Sequence, residues 1–142
     1  MPGWVQDAVW WHVYPLGFVG AEKEQPDGGA VQHRLPQLLD WLDYVLELGA
    51  NGLALGPVFA ASTHGYDTVD HRRIDPRLGT DADFDALVAA AHDRGLRVLL
   101  DGVFNHVGRG HPRFVQAQAD GPDSDAASWF RRDGSCSVLF GR

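Results

Sequence analysis

Arg97-Val98-Leu99-Leu100-Asp101-Gly102-Val103-Phe104-Asn105-His106 decides how this chain is read. It begins as a continuous apolar run, the pattern of a strand buried on both faces of a parallel sheet. It ends in Asp101, Asn105 and His106. A buried strand that delivers polar groups at its C-terminal end is how α/β proteins build ligand sites.

Working upstream, residues 96–103 read as a third strand. A helix precedes it, opening at Thr80-Asp81-Ala82-Asp83. Thr80 or Asp81 is suited to the cap, and the acids sit at the positive end of the helix dipole. Phe84, Leu87, Val88 and Ala91 make its apolar face, and Arg94-Gly95 closes it. Residues 51–59 read as a second strand. Residues 32–48 carry Leu35, Leu38, Leu39, Leu42, Val45 and Leu46 at helical spacing. Pro36 fits only the first turn, which puts the helix start near His33 or Arg34. Gly49 is placed as its C-terminal cap, and Trp41 and Tyr44 pack at the edge of its apolar face. Residues 8–15, rich in aromatic and β-branched side chains and stopped by Pro15, read as the first strand. Residues 16–31 read as a loop. The order strand, helix, strand, helix, strand predicts an α/β fold with parallel strands and right-handed crossovers.

Downstream the pattern changes. Residues 112–119 suit a short helix, 120–125 a loop, Trp129-Phe130 an apolar anchor and 137–140 the start of another strand.

Composition narrows the function classes. The 142 residues are 44% hydrophobic and 22% charged, as in a globular domain. The net charge is -7 with no basic run, which argues against nucleic acid or an anionic membrane as partner. It permits a neutral substrate or a bound cation. The single cysteine, Cys136, excludes an internal disulfide and reads as a free thiol. No leader is visible at the N-terminus and no apolar stretch approaches the ~20 residues of a membrane span, so the expected location is cytoplasmic. Phosphate-loop, zinc and nucleophile-elbow patterns do not occur.

Two polar segments follow neighbouring strands. One is His64-Gly65-Tyr66-Asp67-Thr68-Val69-Asp70, within a polar loop over residues 60–79. The other is Asp101 to His106. In a parallel sheet both point to the same rim, so they are expected to converge. A loop of that length in a compact α/β unit is usually functional. Asp101 suits a carboxylate turned toward a ligand or a buried arginine, or one that accepts from loop amides. His106 suits a sugar-binding donor, a metal ligand, a general base or a structural histidine. Asn105 offers a hard oxygen to calcium or stabilises a turn. Tyr66 is a platform for a sugar ring or a loop anchor. Asp67 and Asp70 bind ligand hydroxyls or cap turns. Asp75-Pro76 reads as a turn without chemistry, and His12 and His71 carry no partner signal.

Four segments, in order, resemble the alpha-amylase family, glycoside hydrolase family 13. Residues 7–15 resemble its first strand, and residues 48–59 the end of its first helix and its second strand. His64 to Asp70 together with Ile74-Asp75-Pro76-Arg77-Leu78-Gly79-Thr80 resembles the loop and entry to its second helix. Asp101-Gly102-Val103-Phe104-Asn105-His106 resembles its first conserved region. The resemblance covers about residues 5–110. It implies the N-terminal portion of a (β/α)8 barrel over residues 1–106, and the start of an inserted excursion after strand three over residues 107–142. It also implies retaining chemistry on α-glucosidic bonds of starch-like oligosaccharides. Tyr66 would stack on the sugar at the cleavage subsite. His106 would hydrogen-bond that sugar, Asp101 would orient the catalytic arginine, and Asp67 and His64 would line the same loop and contact sugar. Asn105 corresponds to a calcium ligand in many members.

Retaining hydrolysis needs two carboxylates about 5–5.5 Å apart. In this family they follow strands four and five, so none of the present residues is expected to be catalytic. The chain is expected to be a piece of a longer enzyme, poorly folded or aggregating by itself, with the missing barrel half as its natural partner. Gly56 and His71-Arg72-Arg73 differ from commoner family choices. Two other readings stand beside this one. The chain is a non-catalytic carbohydrate-binding or pseudoenzyme module, or it is a small doubly wound α/β domain using Asp101 and His106 for metal or phosphate chemistry.

Overall fold

A computed structural model describes residues 2–25, 29–132 and 139–141. Three parallel strands form the central sheet in the order β1-β2-β5: β1 (Trp10–Val13), β2 (Gly52–Leu55) and β5 (Arg97–Leu100). Trp10 pairs with Gly52 and Gly52 with Arg97, so the three strands run in step to Val13, Leu55 and Leu100. Each crossover carries a helix on the same face of the sheet, as a right-handed parallel connection requires.

The first crossover begins with a single helical turn, α1 (Pro15–Phe18), inside the segment expected to be loop. The predicted helix over 32–48 is present in two parts, a 3-10 stretch at Leu35–Trp41 and α2 (Leu42–Glu47). Pro36 sits in its first turn, and Gly49 ends it at φ 78°, a conformation glycine adopts without strain. Leu35, Leu38, Leu42 and Val45 turn inward as their spacing predicts and are fully buried. Trp41 and Tyr44 stay at the edge, where Trp41 stacks on Trp11 at 6.3 Å.

Between β2 and the next helix the expected long loop is corrected. It is an antiparallel hairpin, β3 (Phe59–Ala61) with β4 (Thr68–Ile74), and Phe59 belongs to it rather than to β2. Two register shifts break the ladder, so no clean alternation marks it in sequence. At its base Asp75 and Arg77 form a fully buried ion pair, both 0% exposed. Arg77 donates to Asp75 from Nε at 2.9 Å and Nη2 at 2.8 Å. Asp75 also accepts from Ala61 N–H and Gln25 Nε2 at 3.0 Å, and Arg77 reaches the carbonyls of Glu22 and Lys23. The Asp75-Pro76 turn is therefore also the clamp between hairpin and segment 22–25.

Helix α3 (Asp81–Asp93) starts where predicted. Thr80 Oγ1 accepts from Asp83 N–H, and Asp83 accepts from Thr80 N–H at 2.7 Å, a reciprocal capping box. Leu87 and Ala91 bury its inner face, and Gly95 closes it at φ 76°.

β5 departs from expectation in two ways. It ends at Leu100, not Val103, and only one of its faces is buried. Val98 and Leu100 pack on the core, whereas Leu99 is 52% exposed. On that second face the Trp4 ring lies over the Arg97 guanidinium at 4.1 Å and leaves Leu99 open. After the sheet come α4 (Pro112–Asp120), a 3-10 turn at Ala126–Trp129, and β6 (Phe130–Arg132) paired antiparallel with β7 (Leu139–Gly141). They gather a small second core of Ala117, Ala126, Ala127 and Phe130. Phe130 is the predicted anchor. Trp129 instead lies on the surface beneath the Arg113 guanidinium, at 5.0 Å. Cys136 and the first half of the strand expected over 137–140 lie outside the described residues.

Candidate functional site

The C-terminal ends of β1, β2 and β5 lead to one rim, because the three strands are parallel and in step. Tyr14 follows β1, the hairpin tip at 62–67 follows β2, and Asp101 to His106 follows β5. The expected convergence of the two polar segments is present.

Gly65 builds the hairpin tip. Its φ is 89°, and a Cβ there would sit 2.9 Å from Pro57 Cβ, so only glycine lets the tip fold onto the strand end. Tyr66 N–H then donates to His64 Nδ1 at 3.2 Å, and the Tyr14 hydroxyl holds the His64 carbonyl at 2.9 Å. The Tyr66 ring is left 41% exposed on the rim. Its phenol is held above its ordinary pKa, first by desolvation and then by the negative charge of nearby Asp101. Asp101 Oδ1 also accepts from Val103 N–H at 3.3 Å.

His106 comes to the same place. Its Nε2–H donates to the Tyr66 carbonyl at 2.8 Å. The carbonyl can only accept, so this bond puts a proton on Nε2, and Nδ1 is the nitrogen left facing other partners. Tyr66, Asp101 and His106 thus form one connected group, with His64 and Tyr14 behind the tip. Its reach is chemical: an aromatic face, an imidazole nitrogen and a carboxylate with unused lone pairs suit a polyhydroxylated ring.

The remaining candidates separate from this group. Asp67 faces inward, accepting from Thr63 N–H at 3.1 Å and Thr63 Oγ1 at 2.8 Å, with His64 Nδ1 at 3.9 Å. Asp70 accepts from Arg72 N–H at 2.9 Å. Of their two readings, turn capping describes both. Asn105 is exposed. Calcium takes six to eight oxygen ligands, and no group of three or more His, Cys, Asp or Glu gathers among the described residues.

Two residues were missed. Tyr14 read only as part of a strand, though a hydroxyl-bearing aromatic at a strand's C-terminal end is a signal for the rim. His71 does have partners: its Nε2 meets the Val103 carbonyl at 3.2 Å.

Known proteins resemble this chain in sequence and in fold. The family profile for the alpha amylase catalytic domain matches residues 13–137. The intracellular maltogenic amylase of Bacillus subtilis (strain 168) is 36% identical over 147 residues, covering 91% of this chain and 24% of that protein. A cyclomaltodextrinase from a Bacillus species is 38% identical over 143 residues, covering 91% of this chain and 26% of that protein. The structure of cyclic alpha-maltosyl-(1-->6)-maltose hydrolase from Arthrobacter globiformis, in complex with that cyclic sugar, matches with a TM-score of 0.76 and 31% identity. It covers 99% of this chain and 38% of that one. The chain spans about a quarter of the length of these curated relatives. It belongs to the alpha-amylase catalytic-domain family, glycoside hydrolase family 13, and its parallel sheet is a portion of that family's (β/α)8 barrel.

Proposed function

We propose that these residues supply the substrate-holding rim of a glycosidase that acts on the α-glucosidic bonds of malto-oligosaccharides, the reacting carboxylates coming from later strands of the same barrel. The observation that carries the reading is the junction of Tyr66, Asp101 and His106 at the ends of two neighbouring strands. The Tyr66 ring face packs against the apolar face of a glucose unit. His106 Nδ1, not engaged by the Nε2 bond, meets a sugar hydroxyl. Asp101 lies near the Tyr66 phenol and keeps lone pairs for a sugar hydroxyl or an arginine. His64 and Asp67 shape the tip that presents Tyr66. Asn105 is the residue here that would ligate calcium in such an enzyme, and no step depends on it. The cytoplasm is the proposed place of action, in keeping with the name of the Bacillus subtilis relative, an intracellular maltogenic amylase.

The test is hydrolysis of maltotriose and of a cyclic maltodextrin by the whole polypeptide that carries this sequence. Release of glucose and maltose, abolished or strongly reduced in Tyr66→Ala, supports the reading. Maltotriose binding without any bond cleavage replaces it with a carbohydrate-binding module, and neither binding nor cleavage overturns both.

A further inference from the structure

We propose that His71 is a positioning residue: it fastens the turn that carries Asp101 and His106 to the hairpin strand, and so sets where those two groups meet the sugar. This rests on the reading just given for Asp101 and His106.

Residues 103–108 run along the hairpin and are tied to it at three points. The Tyr66 carbonyl takes the His106 imidazole, and the Thr68 carbonyl takes Gly108 N–H at 2.8 Å. At the third, His71 Nε2–H donates to the Val103 carbonyl at 3.2 Å. The first two ties leave the start of the turn free. Only the third reaches the residues next to Asp101. What it holds is a strained backbone. Val103 has φ 45°, in the left-handed region where a β-branched side chain is unfavourable. Such a conformation persists only when surroundings impose it. Asp101 imposes it from within the turn, by accepting Val103 N–H, and His71 imposes it from across the site, by holding the carbonyl of the same residue.

The ring is itself fixed. Phe59 lies at 6.2 Å between centroids, Phe104 at 5.7 Å and His111 at 6.3 Å, so three elements close around it. Phe104 is folded back over Gly102, where a Cβ would collide with its ring. His111 Nδ1 accepts from Arg113 N–H at the start of α4. The imidazole therefore links the hairpin, the site turn and the first helix beyond the sheet. An aromatic residue without the N–H would keep the tilted ring contacts and lose the tie.

That difference makes the test. In the whole polypeptide, His71→Phe keeps the ring, and His71→Gln restores an N–H donor without it. Amide hydrogen exchange is read over residues 101–106, with α3 as internal reference. His71→Phe is expected to speed exchange in the turn about tenfold or more while α3 is unchanged, and His71→Gln to bring most of it back. With maltotriose as substrate, kcat for His71→Phe should fall about 10- to 100-fold, the scale of a misplaced transition-state contact, with KM little changed. Unchanged exchange in His71→Phe, or no recovery in His71→Gln, overturns the proposal whatever the activity shows. Loosening of the turn in His71→Phe that His71→Gln reverses supports it even if the wild-type polypeptide leaves maltotriose intact. That last result would overturn the function proposed above and not this one.

Discussion

The two ends of segment 64–77 use the same kinds of residue for opposite purposes. At the tip, His64, Tyr66 and Asp67 shape an exposed rim, and the Tyr66 ring is left open to a ligand. At the base, Asp75 and Arg77 are sealed from water, and every polar atom of the pair is occupied. The base shows how a buried charge is tolerated: a bidentate guanidinium, two backbone N–H groups and an amide side chain replace the lost water around one carboxylate. The tip shows what that leaves available for function. Its polar groups are held mainly through backbone atoms, so the ring face and one imidazole nitrogen remain unspent.

The sharpest way to break this contrast is at the base. Arg77→Met keeps the volume and leaves Asp75 buried without its counter-charge. It should destabilise the protein by about 3–5 kcal/mol, as uncompensated buried charges do, measured as a shifted urea midpoint with unchanged slope. A shift of less than about 1 kcal/mol would mean water reaches Asp75, and the two ends would no longer differ in kind.

At the tip the expectation reverses. Tyr66→Ala should leave the urea midpoint nearly unchanged, because the ring is half open and supports no core. Loss of the ring face removes about 1.5–3 kcal/mol of apolar contact with a sugar. That corresponds to roughly a 10- to 100-fold drop in kcat/KM on maltotriose. Asp67→Ala lies between the two. It removes the bonds from Thr63 that fix the tip, which should lower stability by about 1 kcal/mol and reduce turnover less than Tyr66→Ala does. Equal losses of turnover in the two variants would make Asp67 a sugar ligand in its own right.

The same contrast explains what could be read from sequence. Leu35, Leu38, Leu42 and Val45 announce a helix because one stripe of it faces the core, and Thr80-Asp81-Ala82-Asp83 announces another because capping is local chemistry. The rim was legible as two polar segments following neighbouring strands, since parallel strands send their ends the same way. The hairpin was not, because Asp70-His71-Arg72-Arg73 is polar throughout and the register of β3 on β4 shifts twice. The one-sided burial of β5 was not, because an apolar run such as Val98-Leu99-Leu100 carries no mark of which face is covered. Asp75 read as a turn residue, which it is. Its deeper part depends on segment 22–25 folding over Arg77, a contact fifty residues away in the chain that no local pattern announces. His71 was invisible for the same reason, its partner being the carbonyl of Val103.

Asp83 sharpens the comparison at its weak end, since it is a carboxylate used for structure but left near water, with its side chain 18% exposed. Its pKa lies below the usual 3.8, chiefly through the backbone and hydroxyl bonds from Thr80, with His33 adding less. The native state therefore holds a proton on Asp83 less readily than the unfolded chain does. The stability this confers is fully present above about pH 3.8 and is lost as pH falls through the lower native value. Thr80→Ala removes the hydroxyl half of the cap and should cost about 1 kcal/mol at neutral pH. It should also flatten the loss of stability on acidification, because part of what holds Asp83 ionised is gone. Urea midpoints of wild type and Thr80→Ala between pH 3 and pH 6 decide it. Curves that stay parallel across the range would show that the cap does not couple to Asp83. Curves that converge in acid would place Asp83 with Asp75, as a carboxylate whose charge the fold consumes, at a fraction of the buried pair's effect.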